Sequence, residues 1–400
     1  MHPVEEIRGE KSSKLNGKRI LLCVTGSVAA VESFYLCRDL VRHGADVVPV
    51  MSEAATRIIH PDALEFASGH KPILSLTGGV EHVSFCGESN DKGDMVLVSP
   101  CTTNTLSKIT LGICDNAVTA CVVTALGSGI PVVVVPAMHL AMYKNPVTMK
   151  NLGLAEELNI HVVKPELTET KARIADRDEI VANVIRLLGL KDFAGKKVLV
   201  IAGASAEPLD DIRVLTNRSS GRMGVALAEN VFERDGAVEL WLGWSREKPP
   251  EYLRVKRFES VMDIHRMVEE GKAEGFDVIV LCAALANYLP EKHRGKIGSG
   301  KKELKIGFHE APSIVDEIRR KHRNVFVVAF KAEESKVGLE EKAKAFLKEK
   351  GVDLVVANTL SSFGANESEV LIVDSKNEVY NAKGSKDVLA EVILSKIKKG

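Results

Sequence analysis

The sequence predicts an α/β protein made of two Rossmann-like, doubly wound parallel-sheet domains in tandem. Three observations carry that expectation. Short β-branched apolar runs alternate with helix-length amphipathic stretches. The runs are apolar and flanked by Gly, Pro or Asp, as strands buried on both faces of a parallel sheet are. A polar segment bracketed by Gly189 and Gly195, RLLGLKDFAGKK (186–197), interrupts the rhythm before a new strand starts it again.

In the first half the strands are KRILLCV (18–24), ADVVPV (45–50), DMVLVS (94–99) and IPVVVV (130–135). Helices are expected near 28–42, 61–68, 103–110, 117–127 and 146–158. The boundary falls near 192, giving domains 1–191 and 192–400. Strands of the second half are KVLVIA (197–202), AVELWL (237–242), DVIVLCAA (277–284), VFVVAF (325–330) and VDLVVAN (352–358). Its helices are expected near 221–235, 260–274 and 336–350. The Gly- and Lys-rich stretch HRGKIGSGKKEL (293–304) reads as a mobile loop whose cations suit a phosphate.

At 400 residues the chain is long enough for two separate cores. Lys+Arg and Asp+Glu both number 54, so net charge gives no reason to expect a nucleic-acid or membrane-surface partner. No apolar run is long enough to span a bilayer. The polar start, MHPVEEIRGEKSSKLNGK, lacks an apolar signal core, and a cytoplasmic location is the expectation. Seven cysteines form no CxxC pair and no metal-ligand spacing, so most are expected to be buried, reduced thiols.

Open parallel sheets bind ligands beyond the strand C-termini, where helix N-termini point. After KRILLCV, Gly26 permits a tight turn and Ser27 can cap a helix. After DMVLV, the residues Ser99, Thr102, Thr103, Asn104 and Thr105 crowd another helix start. PAMHLAMYKNP (136–146) follows the fourth strand, and His82 stands alone in GGVEHVSF. In the second half, LTNRSSGRMGVAL (215–227) sets polar groups, a glycine and cations ahead of a helix. It reads as an anion site, or else as a capped helix on a solvated loop.

GSVAA, EHV, SPCTTNT, KITLGICDN and PAMHLAM occur in an order and spacing that resemble the flavin-containing cysteine decarboxylases, above all phosphopantothenoylcysteine decarboxylase, across 17–165. The resemblance implies that Gly26, Ser27, Ser52, Ser99, Thr102 and Asn104 hold FMN. It implies that His82 is the catalytic histidine and that Met138 and His139 lie in a substrate clamp. The implied chemistry oxidises the substrate's CH₂–SH end to a thioaldehyde, an electron sink for loss of CO₂. Two departures stand out. His139 occupies the bacterial family's Asn position, and the clamp's proton-donating cysteine is missing from KPELTETKARIADRD (164–178). Lys171, Cys101 and Cys114 are the candidate replacements.

IAGASAEPLDDIRVLTNRSSGRMG (201–224), followed by CAALANYLP, GKIGS, APSIVDEI, VVAFKAE and KGVDLVVANTLSSFGANESEV, resembles the phosphopantothenate–cysteine ligase domain across 196–374. That implies CTP-dependent amide formation through an acyl-cytidylate, with ATP the alternative nucleotide and Mg²⁺ screening the triphosphate. Asn217 would serve the acyl-nucleotide, and Ser219, Ser220 and Gly221 would receive a phosphate. Arg213 and Asn287 would contact the substrates, and Lys296 and Lys350 would pair with phosphates. Phe330 and the loop Ala311, Pro312, Ser313, Ile314 would recognise the nucleotide. Asp210 is a candidate for placing metal or substrate. Asn287 stands where the family has Asp, and Phe346 where it has a lysine that Lys342 or Lys344 could replace.

Fused in this order, the halves resemble the bifunctional coenzyme A biosynthesis family in its archaeal form. The implied partners are 4′-phosphopantothenate, cysteine and CTP, and the implied assembly is trimers of the first domain and dimers of the second, which a dodecamer would satisfy. Two other readings compete: a ligase whose flavoprotein half is a non-catalytic regulatory subunit, and an NAD(P) oxidoreductase. The last lacks GxGxxG and a placed ribose-binding acid after either first strand.

Overall fold

A computed structural model describes residues 2–298, 303–359 and 367–397. The chain divides into two compact units, Met1–Leu190 and Lys191–Gly400.

The main sheet of the first unit holds five strands: β1 (Arg19–Val24), β2 (Asp46–Met51), β3 (Met95–Cys101), β4 (Val132–Pro136) and β5 (His161–Val162). They stand in the order β2-β1-β3-β4-β5, all parallel. Along β1, Ile20, Leu22 and Val24 join one apolar cluster while Leu21 and Cys23 join another. Both faces of the sheet must therefore be covered. α1 (Ser33–Arg42), α2 (Pro61–Ser68) and α6 (Arg177–Leu188) cover the first face through Leu36, Leu64 and Val184. α3 (Thr103–Thr110), α4 (Ala117–Gly127) and α5 (Pro146–Glu157) cover the second through Leu106, Val118 and Leu152.

The helix expected from 28 begins as a tight turn, Val28–Glu32, because Ala30 N–H bonds back to Ser27 C=O across three residues. The sequence reading named no helix at α6 and no strand at β5. The apolar period of α6 (Ile180, Val181, Val184, Ile185) runs straight into the polar linking stretch, which masks it.

Sheet edge chemistry in this unit gives a testable pH effect. The Asp46 carboxylate accepts from His70 Nε2 (2.6 Å) and Arg19 Nε (2.8 Å). The His70 hydrogen bond first, then Arg19, hold its carboxyl well below the usual carboxylate range, against the upward push of burial. A carboxyl depressed by folding stabilises fully above its unfolded value and loses that contribution as pH falls below about 4. Asp46→Asn is expected to cost about 1–2 kcal/mol near neutral pH and nothing at strongly acid pH. Urea midpoints compared across pH check this; an equal loss at both ends sinks it.

The second unit holds β6 (Lys197–Ala202), β7 (Ala237–Leu242), β8 (Arg254–Arg257), β9 (Val278–Leu281), β10 (Phe326–Glu333), β11 (Leu354–Thr359), β12 (Glu367–Asp374) and β13 (Val379–Ser385). The order is β8-β7-β6-β9-β10-β11-β12-β13. The first six are parallel, and β12 and β13 are antiparallel. The all-parallel expectation therefore fails at one edge. There the strands alternate buried and exposed residues, as a half-covered antiparallel pair does. Val198 and Val200 pack against α7 (Arg222–Glu233) and α11 (Lys386–Ser395). Leu199 and Ile201 pack against α8 (Val261–Glu269), α9 (Ile314–Lys321) and α10 (Leu339–Lys350). β8, β12, β13, α9 and α11 were not named from sequence.

No helix among the described residues is long and apolar enough to cross a membrane. Five of the seven cysteines are buried and none is paired.

Candidate functional site

In the second unit, strand order reverses between β6 and β9, and a cavity of about 720 Å³ opens beyond their C-terminal ends. Gly203 follows β6 and Cys282–Ala286 follow β9 in its wall. Asn217 bridges these elements: its Nδ2 donates to Ala284 C=O (2.5 Å) and its Oδ1 accepts from Ser219 N–H (3.2 Å). Ser205 N–H also donates to Ala284 C=O (3.2 Å).

Gly221 starts α7 at φ +77°, and a Cβ there would lie 2.4 Å from Ser245 Oγ. Only glycine meets both demands. Ser220 C=O is fixed by Ser245 Oγ, Arg246 N–H and Glu247 N–H at 3.0–3.2 Å. The hydroxyls of Ser219 and Ser220 accept from Gly221 and Arg222 N–H at 3.4 Å, long contacts that an anion can displace. A second helix start, Ser313 before α9, also lines the cavity.

Lys350 Nζ meets Asp316 Oδ2 at 2.8 Å. That contact pushes the lysine above its ordinary pKa. Burial raises the Asp316 carboxyl, but the Lys350 hydrogen bond and charge and the Ser313 hydrogen bond together outweigh it and leave the group below the usual range. Lys331 also lines the cavity, 3.1 Å from Glu333 and 5.2 Å above the Phe346 ring.

In the first unit the reversal lies between β1 and β3. Thr25 ties the two loops there. Its Oγ1 donates to Pro100 C=O (2.7 Å) and accepts from Thr102 N–H (3.1 Å). At Gly26 a Cβ would come within 2.4 Å of Ala54 Cβ, so the turn packs directly on the segment after β2. Ser27, Ser52 and Thr102 each cap a helix start through the side-chain oxygen. Asn104 is exposed in the first turn of α3.

His82 lies on the short helix Glu81–Cys86. Its Nδ1 is buried with no hydrogen-bond partner among the described residues. One turn on, Cys86 sits in the core with Cys121 and Val122. Val80, ahead of this helix, is held at φ +45°, a strained setting for a β-branched residue. The clamp segment Met138–His139 pairs antiparallel with Lys171–Arg173, which places Lys171 opposite His139. Thr103 Oγ1 contacts Met138 Sδ (2.9 Å), joining the clamp to the start of α3.

A flavoprotein family model matches residues 8–189, and that of the DNA/pantothenate metabolism flavoprotein C-terminal domain matches 193–399. Over its full length the chain is 42% identical to the coenzyme A biosynthesis bifunctional protein CoaBC of Thermococcus kodakarensis, covering 99% of it. It is 36% identical to that of Methanocaldococcus jannaschii, covering all of this chain and 98% of the relative. The Borreliella burgdorferi protein of the same name is 31% identical over 94% of this chain and 98% of its own length. The chain belongs to this bifunctional coenzyme A biosynthesis family.

Within that family frame, the cavity gathers Asn217, Ser219, Ser220, Gly221, Asn287 and Phe330. It also gathers Ala311, Pro312, Ser313, Ile314 and Lys350. Four of the expected site residues lie outside the cavity wall. Arg213 bonds Ile297 C=O (3.0 Å) beside Asp210 (3.7 Å). The buried Asp210 carboxylate accepts from the N–H groups of Ile297, Arg213 and Ile212 at 2.6–3.0 Å, which engages both of its oxygens. Those amides, Ile297 first, hold its pKa down to about 2. Lys296 is exposed outside the cavity wall, on the loop that Asp210 pins. Lys344 pairs with Glu340 (2.5 Å) and Lys342 with Glu333 (2.6 Å), and neither lines the cavity beside Phe346. Lys331, from the neighbouring strand, brings its ammonium there instead.

In the first unit, Ser99 and Cys101 are fully buried in β3 and touch no open surface. Ser99 supports the loop by accepting from Ser33 Oγ at its carbonyl (3.1 Å). Burial pushes the Cys101 thiol up to about 12 and leaves it no path to a substrate. Cys114 is exposed next to Gly112 C=O (3.7 Å). No hydrogen bond among the described residues links His82 to the loops after β1 and β3. Sequence reading missed Thr25, Lys331 and Lys386, which lines the cavity from the start of α11. A helix-capping signal, Ser385 before α11, was the only local hint of the last.

Proposed function

We propose that the chain joins cysteine to 4′-phosphopantothenate using CTP in its second unit and decarboxylates the product to 4′-phosphopantetheine in its first. The observation that carries this reading is the cavity at the β6/β9 reversal, in a chain that matches the bifunctional relatives from end to end.

The ligase step has the substrate carboxylate attack the α-phosphate of CTP and expel pyrophosphate. The amine of cysteine then attacks the acyl-cytidylate carbonyl and releases CMP. Asn217, held at the reversal point, donates where charge develops. Lys350 and Lys331 pair with phosphates, exchanging carboxylate partners for the nucleotide. Among the described residues no group of three or more His, Cys, Asp or Glu side chains could hold a metal, so Mg²⁺ is read as arriving on the triphosphate.

In the first unit, the hydroxyls of Ser27, Ser52 and Thr102 and the exposed Asn104 form a donor set suited to FMN and its phosphate. When bound, FMN supplies the electron sink that release of CO₂ requires. The unpartnered His82 Nδ1 marks that residue as the group that accepts or orients at the carboxylate end. His139 and Lys171 stand together at the clamp, and Lys171 is the proton donor of this reading. Exposed Val28, Leu111 and Val147 in the first unit, and Ile212, Tyr288 and Phe308 in the second, are apolar surface for trimer and dimer contacts.

The test supplies phosphopantothenate, cysteine, Mg²⁺ and CTP or ATP to yellow protein. Pyrophosphate and CO₂ are both expected, with CTP preferred. Pyrophosphate without CO₂ leaves only the ligase half standing, and neither product overturns the reading.

A further inference from the structure

Lys386 sits where β13 ends and α11 begins, with Ser385 capping the helix through Val388 N–H (3.3 Å). Its Nζ donates to Ser368 Oγ on β12, which anchors the long side chain. It borders the large cavity together with Arg222, Asn217, Ser219 and Ser220. Burial, and after it the nearby Arg222 cation, push its ammonium below the ordinary lysine pKa. Arg222 Nε also pairs with Glu247 Oε2 (3.1 Å), and an anion entering from the large cavity would meet both cations at one wall.

The reaction brings two phosphorylated substrates to one cavity. Lys350, paired with Asp316 on α9, and Lys331, paired with Glu333, line a different part of the same cavity. The same wall of Lys386 and Arg222 also borders a smaller hollow of about 340 Å³. That hollow is lined by Glu229, Glu247 and Asp387, whose carboxylates repel a phosphate. The large cavity, lined there by hydroxyls and the α7 start, is the side an anion can enter.

We propose that Lys386 is a phosphate-binding residue of the large cavity, holding with Arg222 the phosphoryl group of one of the two substrates. The proposal rests on the ligase reading. Calorimetric titration of the full chain with inorganic pyrophosphate tests it without turnover. Lys386→Met is expected to weaken binding about 10- to 100-fold, the worth of one charge-assisted hydrogen bond, and Lys386→Arg to restore most of it. Separate KM measurements then name the source: a rise for phosphopantothenate assigns the acid's phosphate, and a rise for CTP assigns the nucleotide's. Lys386→Gln, which keeps the stem, replaces the Met variant if that one loses its native circular dichroism. Unchanged binding and unchanged KM in a folded variant overturn the proposal, as does a wild-type chain that binds no pyrophosphate. Should the wild-type chain make no pyrophosphate from CTP while Lys386→Met still weakens binding, the ligase reading falls and with it the assignment of a substrate phosphate, while the anion-binding role of Lys386 stands.

Discussion

Asn217→Ala is expected to leave the second unit folded and to slow amide formation about 10²- to 10³-fold, the usual cost of losing one donor aimed at developing charge. Folding survives because Ala284 C=O keeps its bond from Ser205 N–H when the Asn217 donor is gone. The loss is then about one net hydrogen bond, roughly 1 kcal/mol. The rate loss is worth about 2.7–4 kcal/mol, so the functional effect exceeds the structural one. The acyl-cytidylate forms and accumulates, because the missing group acts where the amine attacks. Rapid quench with labelled CTP reads both steps. Asn217→Asp is expected to fail too, since it sets an acceptor against Ala284 C=O and adds negative charge near the phosphates. Normal amide formation in the alanine variant removes the assigned role.

His82→Ala is expected to keep the flavin colour and to lower CO₂ release about 10²- to 10⁴-fold. The prediction follows from an oddity of packing. A buried ring nitrogen without a partner is costly in a purely structural histidine. Removing it therefore takes away no hydrogen bond, and the expected stability change stays near about 1 kcal/mol. Cys86, one turn on, anchors the short helix that carries His82 in the core. Single-turnover CO₂ release, with flavin absorbance read in the same sample, separates the two effects. Full turnover by the variant ends the catalytic assignment.

The strands of both central sheets could be read from β-branched runs, because a strand buried on both faces has nothing polar to hide its signal. KRILLCV became β1 with Ile20–Val24 all buried, and the helices at 61–68, 103–110 and 117–127 appear as expected. The edge pair β12 and β13 was not readable in the same way. Half-exposed strands carry charges such as Glu369 and Lys383, which mimic loop sequence. Within the site, Asn217 and Ser219 to Gly221 were found because they lie close together in sequence ahead of a helix start, and Ser313 through the family resemblance. Arg213 and Asp210 belong to the same stretch, yet they turned out to brace a loop.

Sequence alone determined the two α/β halves, the family and the glycine-anchored turns, since each depends on residues within a few positions of one another. Tertiary structure alone decided which lysines reach the cavity. Lys331 and Lys386 arrive there, while Lys296 and Lys344 do not. That choice depends on strand order and on an antiparallel edge that folds residues 367–397 back beside α7, contacts between segments more than a hundred residues apart that no local pattern encodes.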